Sequence, residues 1–312
     1  MSNKGIEISV DVKKQLGDFK LNANANFTYT VNKITDLALD STVQGSVHDL
    51  SGLTISKIGY PIGTFRGYKF LGLFKEGDTK IYNAKSKKYV FADQPYYVDA
   101  ATGDTSYDKP TAKPGDAKFL DVNGDGRINA KDRDYLGSYI PPIVYGFTLG
   151  AEYKGIDFSA FFQGVYGNEI FNGLKRDLVT WETSLNHGAF FADRYHLPVV
   201  YNGTIIDPGN TSSNIPDVGS QNWGQPSSLY IEDGSYLRLR TVTIGYTLPK
   251  TWTDKIMIER LRFYFTAKNL ITITDYTGYD PEISSSDPKL AGIDVVGYPQ
   301  SKMYTFGLNL DF

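Results

Sequence analysis

The chain has 312 residues, a net charge of −3 and no cysteine. That balance gives no argument for nucleic acid, and the absence of cysteine excludes disulfides, thiol catalysis and thiolate metal sites. No run of about 18 apolar residues occurs, so no transmembrane helix is expected; strands that alternate escape this criterion. The aromatic content is unusual, with 23 Tyr and 18 Phe but 3 Trp. Tyrosine joins an apolar ring to a wet hydroxyl, so it suits a water–lipid boundary and a sugar-facing surface equally.

Taken in order, the chain opens directly on alternation. Ile6, Ile8, Val10 and Val12 oppose Glu7, Ser9, Asp11 and Lys13 over Gly5–Gln15. After a turn at Leu16-Gly17-Asp18, Phe19–Val31 sets Phe19, Leu21, Ala23, Ala25, Phe27, Tyr29 and Val31 against Lys20, Asn22, Asn24, Asn26, Thr28 and Thr30. A period of two is the strand signature, and a soluble sheet rarely needs so long a strand, the usual length being about 5–6 residues. The asparagine-lined face suggests a wet interior rather than a core. From 32 to 142 the pattern breaks into glycine, proline and aspartate, with short β-like pieces at Thr64–Phe74 and Lys88–Phe91.

Alternation resumes over Val144–Lys154, turns at Lys154-Gly155-Ile156-Asp157, and returns over Phe158–Val165. A second irregular region, 169–234, includes a candidate short helix around Ile170–Leu185. Tyr236–Leu248 is a strand of ambiguous register. Leu237 and Leu239 sit on one parity, Val242, Ile244, Tyr246 and Leu248 on the other. Either a bulge shifts the face, or the Arg238/Arg240 end lies outside the apolar band. Leu261–Thr272 alternates again, a third loop covers 273–301, and Met303–Phe312 closes with Tyr304, Phe306, Leu308, Leu310 and Phe312 on one face. That last strand fits a membrane-crossing length of about 9–11 residues. By itself it also fits the last strand of a soluble sandwich.

Seven long strands are therefore expected. Their connections run short, long, short, long, medium, long, which matches barrels with short periplasmic turns and long extracellular loops. Seven strands cannot close a bacterial outer-membrane barrel, whose strand number is even, and open edges in lipid would leave unmet backbone groups. With no signal-peptide-like segment at Met1, the expectation is a piece of a larger barrel. The fold class read from this is all-β and antiparallel, the C-terminal part of a large transmembrane β-barrel with long extracellular loops. Residues 1–312 are expected to form one partial barrel domain, with the earlier strands of the barrel outside it.

One loop carries a metal-type spacing. Asp121, Asn123, Asp125, Gly126, Arg127, Asn129 and Asp132 fit D-x-[DN]-x-[DN]-G with a closing acid at position twelve. Asp121, Asn123 and Asp125 would supply side-chain oxygens, Arg127 its carbonyl, Asn129 a direct or water-borne contact, and Asp132 the closing carboxylate. Gly126 permits the sharp turn, and Ile128 packs. A structural calcium ion stapling an extracellular loop is one reading; a set of Asx-turns without an ion is the other. No catalytic residues are assigned. His48, His187 and His196 have no metal-protease spacing, and Ser46, His48 and Asp49 stand too close in the chain to meet as a triad. Glu232 and Asp233 make a weak glycosidase signal. Trp181, Trp223 and Trp252 suit loop packing or an interfacial girdle better than sugar stacking, and Arg238 and Arg240 read as lumen or rim charges.

Several strings in order carry a resemblance: Asn3-Lys4-Gly5-Ile6-Glu7, Gly59-Tyr60-Pro61-Ile62-Gly63 before Gly67-Tyr68, the Asp121–Asp132 loop followed by Tyr145-Gly146-Phe147, and Phe161-Phe162-Gln163-Gly164 with Gly167-Asn168. Then come Tyr236-Leu237-Arg238-Leu239-Arg240, Gly245-Tyr246-Thr247-Leu248-Pro249, Lys268-Asn269-Leu270, Gly278-Tyr279-Asp280-Pro281-Glu282 and the terminal strand. Together they resemble the C-terminal third of SusC/RagA-type TonB-dependent outer-membrane transporters of Bacteroidetes. The resemblance implies a barrel of about 22 strands closed by a plug. It implies TonB-energised import of oligosaccharides, peptides or other nutrients, a SusD-like surface lipoprotein as lid, contact with outer-membrane lipid, and location in the outer membrane of a Gram-negative bacterium. Without the plug and earlier strands the chain alone is expected not to transport. The alternative is a soluble, extracellular, calcium-binding β-rich module that binds carbohydrate, whose apolar faces would meet in two packed sheets. A secreted hydrolase would instead need a cleft of converging carboxylates.

Overall fold

The computed structural model describes residues 1–37, 42–47, 50–75, 80–83, 88–91, 114–124, 128–179, 186–217, 223–283, 285, 287, 290–295 and 297–312. Seven long strands build one sheet: β1 (Ser2–Leu16), β2 (Phe19–Lys33), β3 (Ile143–Tyr153), β4 (Ile156–Tyr166), β5 (Tyr236–Thr247), β6 (Arg260–Thr274) and β7 (Met303–Asp311). Each pairs antiparallel with its neighbours in chain order. The connections at Gly17 (φ +62°) and at Lys154-Gly155 (φ +45° and +87°) are tight hairpins whose backbone needs the left-handed region that glycine enters freely. A side chain on Gly155 would also strike the Thr247 carbonyl of β5.

Register decides the faces, because residues paired across antiparallel strands project to the same side. One row runs Leu16, Phe19, Tyr153, Ile156, Tyr246, Phe263, Leu308 across the whole sheet. Every member is apolar or aromatic, and the Phe19 and Tyr153 rings stack at 4.0 Å. A row on the opposite face runs Lys13, Asn22, Gly150, Ser159, Thr243, Thr266, Thr305. It is polar or glycine throughout, with Thr243 and Thr266 hydroxyls 2.9 Å apart. The apolar face is open: Phe306 is 81% and Leu308 58% exposed. No second sheet packs on it among the described residues, contrary to the packed sandwich of the soluble alternative.

The register ambiguity of Tyr236–Leu248 resolves as a bulge at Arg240. Phe162 pairs with Leu239 while the next residue back, Phe161, pairs with Thr241, so Arg240 is extra on β5. On β6 the same step spans Lys268 to Ile271, with Asn269 at φ +52°. The two irregularities restore parity, so Leu237, Leu239, Val242, Ile244 and Tyr246 all share the apolar face. The bulge also lets Arg238 and Arg240 reach the same polar side.

The described parts of the connecting regions are folded, not irregular as their composition suggests. In the first, the strands Val43–Val47, Leu50–Ser56, Thr64–Gly67 and Asp134–Gly137 form a four-stranded sheet. In the second, the helix expected around Ile170–Leu185 is the strand Glu169–Asn172 followed by a one-turn helix, Gly173–Asp177; residues 180–185 lie outside the described residues. That strand pairs antiparallel with Ile231–Asp233 and parallel with Ile293–Asp294 of the third loop. Among the described residues two apolar cores result. Leu50, Leu53 and Phe65 of the first loop meet Phe171, Phe191, Trp223 and Tyr230 of the second and Ile293 of the third. Tyr68, Leu73, Phe74, Phe119 and Ile128 form the other core with Tyr195. Neither core contains a residue of β1–β7, so the three loops make one cap at the end of the wall that lies opposite the tight hairpins.

Candidate functional site

Cap and wall are joined by a buried ionic clamp. Arg238 is the largest fully buried side chain, 1% exposed. Its Nη2 donates to Asp280 Oδ1 at 2.6 Å, its Nη1 to Glu282 Oε2 at 2.9 Å and its Nε to Thr272 Oγ1 at 2.9 Å. Arg240, aimed inward by the bulge, pairs with the other Glu282 oxygen and donates to Gln163 Oε1 at 3.0 Å and Asn269 Oδ1 at 3.4 Å. Asp280 also accepts from the backbone N–H of Glu282 and Gln300, both at 2.9 Å. Two guanidinium groups thus face two carboxylates, and the charges cancel inside the site. Burial pushes the Asp280 carboxyl up, but the two backbone donors and Arg238 outweigh it and hold the group below its ordinary 3.8. The chemistry is that of a fastener: there is no polarised nucleophile and no acid–base pair, but the third loop is pinned to the inner side of β5.

Three of the sequence strings converge here: the Tyr236–Arg240 run, Lys268-Asn269-Leu270, and Gly278–Glu282. Reading them separately missed their contact. The available signal was matched spacing, two cations at 238 and 240 against two anions at 280 and 282. A second joint ties the third loop to the second through Thr277 and Glu232, braced by one contact within each loop. Lys175 Nζ lies 2.8 Å from Glu232 Oε1, the Thr277 N–H donates to Glu232 Oε2 at 2.9 Å, and the Tyr276 hydroxyl donates to Asp294 Oδ2 at 2.6 Å. Glu232 is therefore a structural partner in this arrangement. Trp223 lies in a cap core, Trp252 is exposed on the β5–β6 connection, and Trp181 and His48 fall outside the described residues.

The acidic loop is partly described. Asp125, Gly126 and Arg127 lie outside the described residues. Asp121 and Asp132 are fully buried, and Ile128 packs in the second cap core. Asp132 already closes the loop: Oδ1 accepts from the N–H of Val122 at 3.0 Å and Asn123 at 3.3 Å, and Oδ2 from that of Asn129 at 2.8 Å. Asp121 Oδ1 accepts from Gly124 N–H at 2.6 Å, and Asn129 caps a short 3-10 turn through Lys131 N–H. Burial, with the nearby Asp121 charge adding to it, raises the Asp132 carboxyl above 3.8 against those three donors. Two buried acids, with oxygens at positions one, three, nine and twelve, fit a hard cation by donor type. Among the described residues no cluster of three or more His, Asp or Glu side chains gathers at metal-binding distance.

An antiparallel wall of long strands, apolar on one face and polar on the other, capped by folded loops, defines part of a barrel of the outer-membrane type. Comparisons with known proteins agree. No family model matches the chain. Two TonB-dependent receptors of Formosa agariphila, P3 and P26, are 29% and 31% identical over the whole chain, which covers 29% of each. The TonB-dependent receptor SusC of Bacteroides thetaiotaomicron is 26% identical, again over all of this chain and 26% of its own length. The structure of the RagAB peptide transporter superposes with a TM-score of 0.70 and 25% identity, over 99% of this chain and 29% of that one. Along its length the chain is thus similar to SusC/RagA-type TonB-dependent receptors, and its fold is that of a portion of their barrel. It spans under a third of the relatives it matches. These relatives are receptors and transporters rather than enzymes, and TonB-dependent receptors of Bacteroidetes are outer-membrane proteins.

Proposed function

We propose that the seven strands are part of the wall of an outer-membrane transporter that imports oligosaccharides, peptides or other nutrients. The observation that carries the reading is the facial split of the sheet: rows of exposed Phe, Tyr, Ile and Leu on one side, and Asn, Thr and Ser on the other. The apolar face meets lipid, the row from Phe19 to Phe263 serves as an interfacial aromatic girdle, and the polar face lines the lumen. The cap faces outward and offers the surface on which a SusD-like lipoprotein closes. TonB supplies energy through parts of the transporter beyond this chain, so these strands alone do not transport. In the acidic loop, Asp121, Asn123, Asp125, the Arg127 carbonyl, Asn129 and Asp132 hold a structural calcium ion that stiffens the cap.

The chain has no cysteine, so single cysteines can be introduced without background. In outer membranes, Asn24→Cys and Thr266→Cys should react with a small water-soluble maleimide, and Phe27→Cys and Phe306→Cys should not. Equal labelling of both sets would refute the wall.

A further inference from the structure

The first loop holds a cavity of about 350 Å³ at the sheet formed by Leu50–Ser56, Thr64–Gly67 and Asp134–Gly137. Lys57, Arg66 and Arg133 line it, with the rings of Tyr60 and Tyr135. The lining carboxylate, Asp134, is already bound to Lys69 outside the cavity at 2.7 Å. The two guanidinium groups are fixed by neutral acceptors: Arg66 Nη2 donates to the Ala130 carbonyl at 3.2 Å, and Arg133 Nη1 to that of Ser51 at 2.9 Å. These bonds orient the side chains; Asp134 attracts Arg66 as well as Lys69, so the lining holds three cations against one carboxylate and keeps an excess of positive charge. Arg133 Nε is buried with no acceptor among the described residues. A concave site with an excess of one sign of charge concentrates the opposite sign, and guanidinium groups suit planar or tetrahedral oxyanions.

The aromatic pair narrows the class. Tyr60 and Tyr135 are 40% and 42% exposed, with ring centroids 5.6 Å apart and planes inclined by 35°. Lys57 Nζ stands 6.0 Å from the Tyr60 ring. Exposed tyrosine faces take the C–H face of a pyranose, and the hydroxyls reach its rim. The volume lies at the small end of ligand pockets, roughly 300–1,000 Å³, suiting one sugar unit rather than a chain.

We propose that this cavity is a subsite for an acidic sugar unit, one bearing a carboxylate or a sulfate ester, within whatever ligand the cap admits. The proposal rests on the import reading and deepens it by giving the ligand a charge. Arg66 and Arg133 hold the oxyanion, Lys57 adds long-range attraction, and the touching pair Tyr60 and Tyr135 offers its exposed surface to one side of the sugar ring.

The test uses the full protein that carries this chain, purified in detergent, with titration calorimetry. The probes are an oligogalacturonate, a sulfated galactan oligomer, maltotetraose and hexaglutamate. At least one acidic sugar should bind more tightly than maltotetraose, with affinity falling as salt rises. Arg133→Gln should weaken it about tenfold, the loss expected for one charge-assisted contact, and the exposed Lys57→Gln should weaken it about twofold and lower its salt dependence, as a screened long-range charge does. Tyr60→Ala should weaken binding and leave the salt dependence unchanged. Binding of acidic sugars no tighter than maltotetraose, unchanged affinity in Lys57→Gln and Arg133→Gln, or binding of hexaglutamate without either sugar would each overturn the subsite. Absence of the protein from the outer-membrane fraction would instead refute the import reading, and the titration still reports on the cavity.

Discussion

Arg262 on β6 reaches across β5 to Asp157 on β4, its Nε 2.8 Å from Oδ1 and its Nη2 2.5 Å from Oδ2. The strand between them is bridged because the residue beneath the ion pair is Gly245. A Cβ there would lie 2.5 Å from both Arg262 Nη2 and Asp157 Oδ1. A fork-on-carboxylate pair thus ties three strands through one missing side chain.

Gly245→Ala should part the pair without disturbing the backbone, because the atoms it meets are the tips of flexible side chains. The expected loss is about 1 kcal/mol, the upper range for a partly exposed pair. Arg262→Gln should cost a similar amount, and adding Gly245→Ala to it should cost little more, since both remove one interaction. Thermal unfolding in detergent checks this; fully additive losses would show that the glycine acts otherwise.

Arg238→Met should free the third loop. Removing one member of a buried, hydrogen-bonded ion cluster costs about 3–5 kcal/mol, because Asp280 is left buried without its cation while Arg240 stays on Glu282. Proteolysis of segment 275–302 should accelerate while the strands stay protected; unchanged cleavage would remove the fastener role.

The same clamp predicts an acid response. Asp280 sits below its ordinary 3.8 in the folded protein, so its stabilisation is complete above that value. It fades as pH falls below 3.8 through the folded value. Cleavage of the third loop should therefore rise below about pH 4, and Asp280→Asn should flatten that rise. A profile identical in the variant would assign the acid response elsewhere.

The acidic loop predicts the opposite slope. Burial first, and then Asp121, raises Asp132, so without an ion stability declines as pH climbs above 3.8. Bound calcium needs the carboxylate and reverses the trend. At a hundredfold excess over its dissociation constant it should add about 2.7 kcal/mol. The unfolding midpoint should rise with calcium at neutral pH and return with a chelator, and Asp121→Asn should abolish the shift. Equal pH slopes with and without calcium would leave the Asx-turn reading.

The strands were legible because alternation over nine or more residues has few other causes, and Phe19–Val31 or Met303–Phe312 can hardly be anything but strands; their placement in a wall came from the order of short and long connections and the even strand count a barrel needs. Tyr236–Leu248 resisted because the inserted Arg240 breaks period two midway. The cap was illegible for another reason. Leu50–Ser56 is buried on both faces, so its strand carries no alternation, and Glu169–Asn172 is only four residues long. The clamp was visible as motifs but not as a contact, since Arg238 and Asp280 lie 42 positions apart and only the fold brings them together. The calcium reading stays on its spacing because Asp125 and Arg127 lie outside the described residues.

The two apolar cores draw nothing from the seven strands, and this separates two kinds of evolutionary freedom. Mutations that reshape the outer chamber are absorbed by packing inside it, and the staves below need only keep their alternation and the arginine anchor on β5. The cap can thus be refashioned side chain by side chain while the sheet beneath it stays as it is.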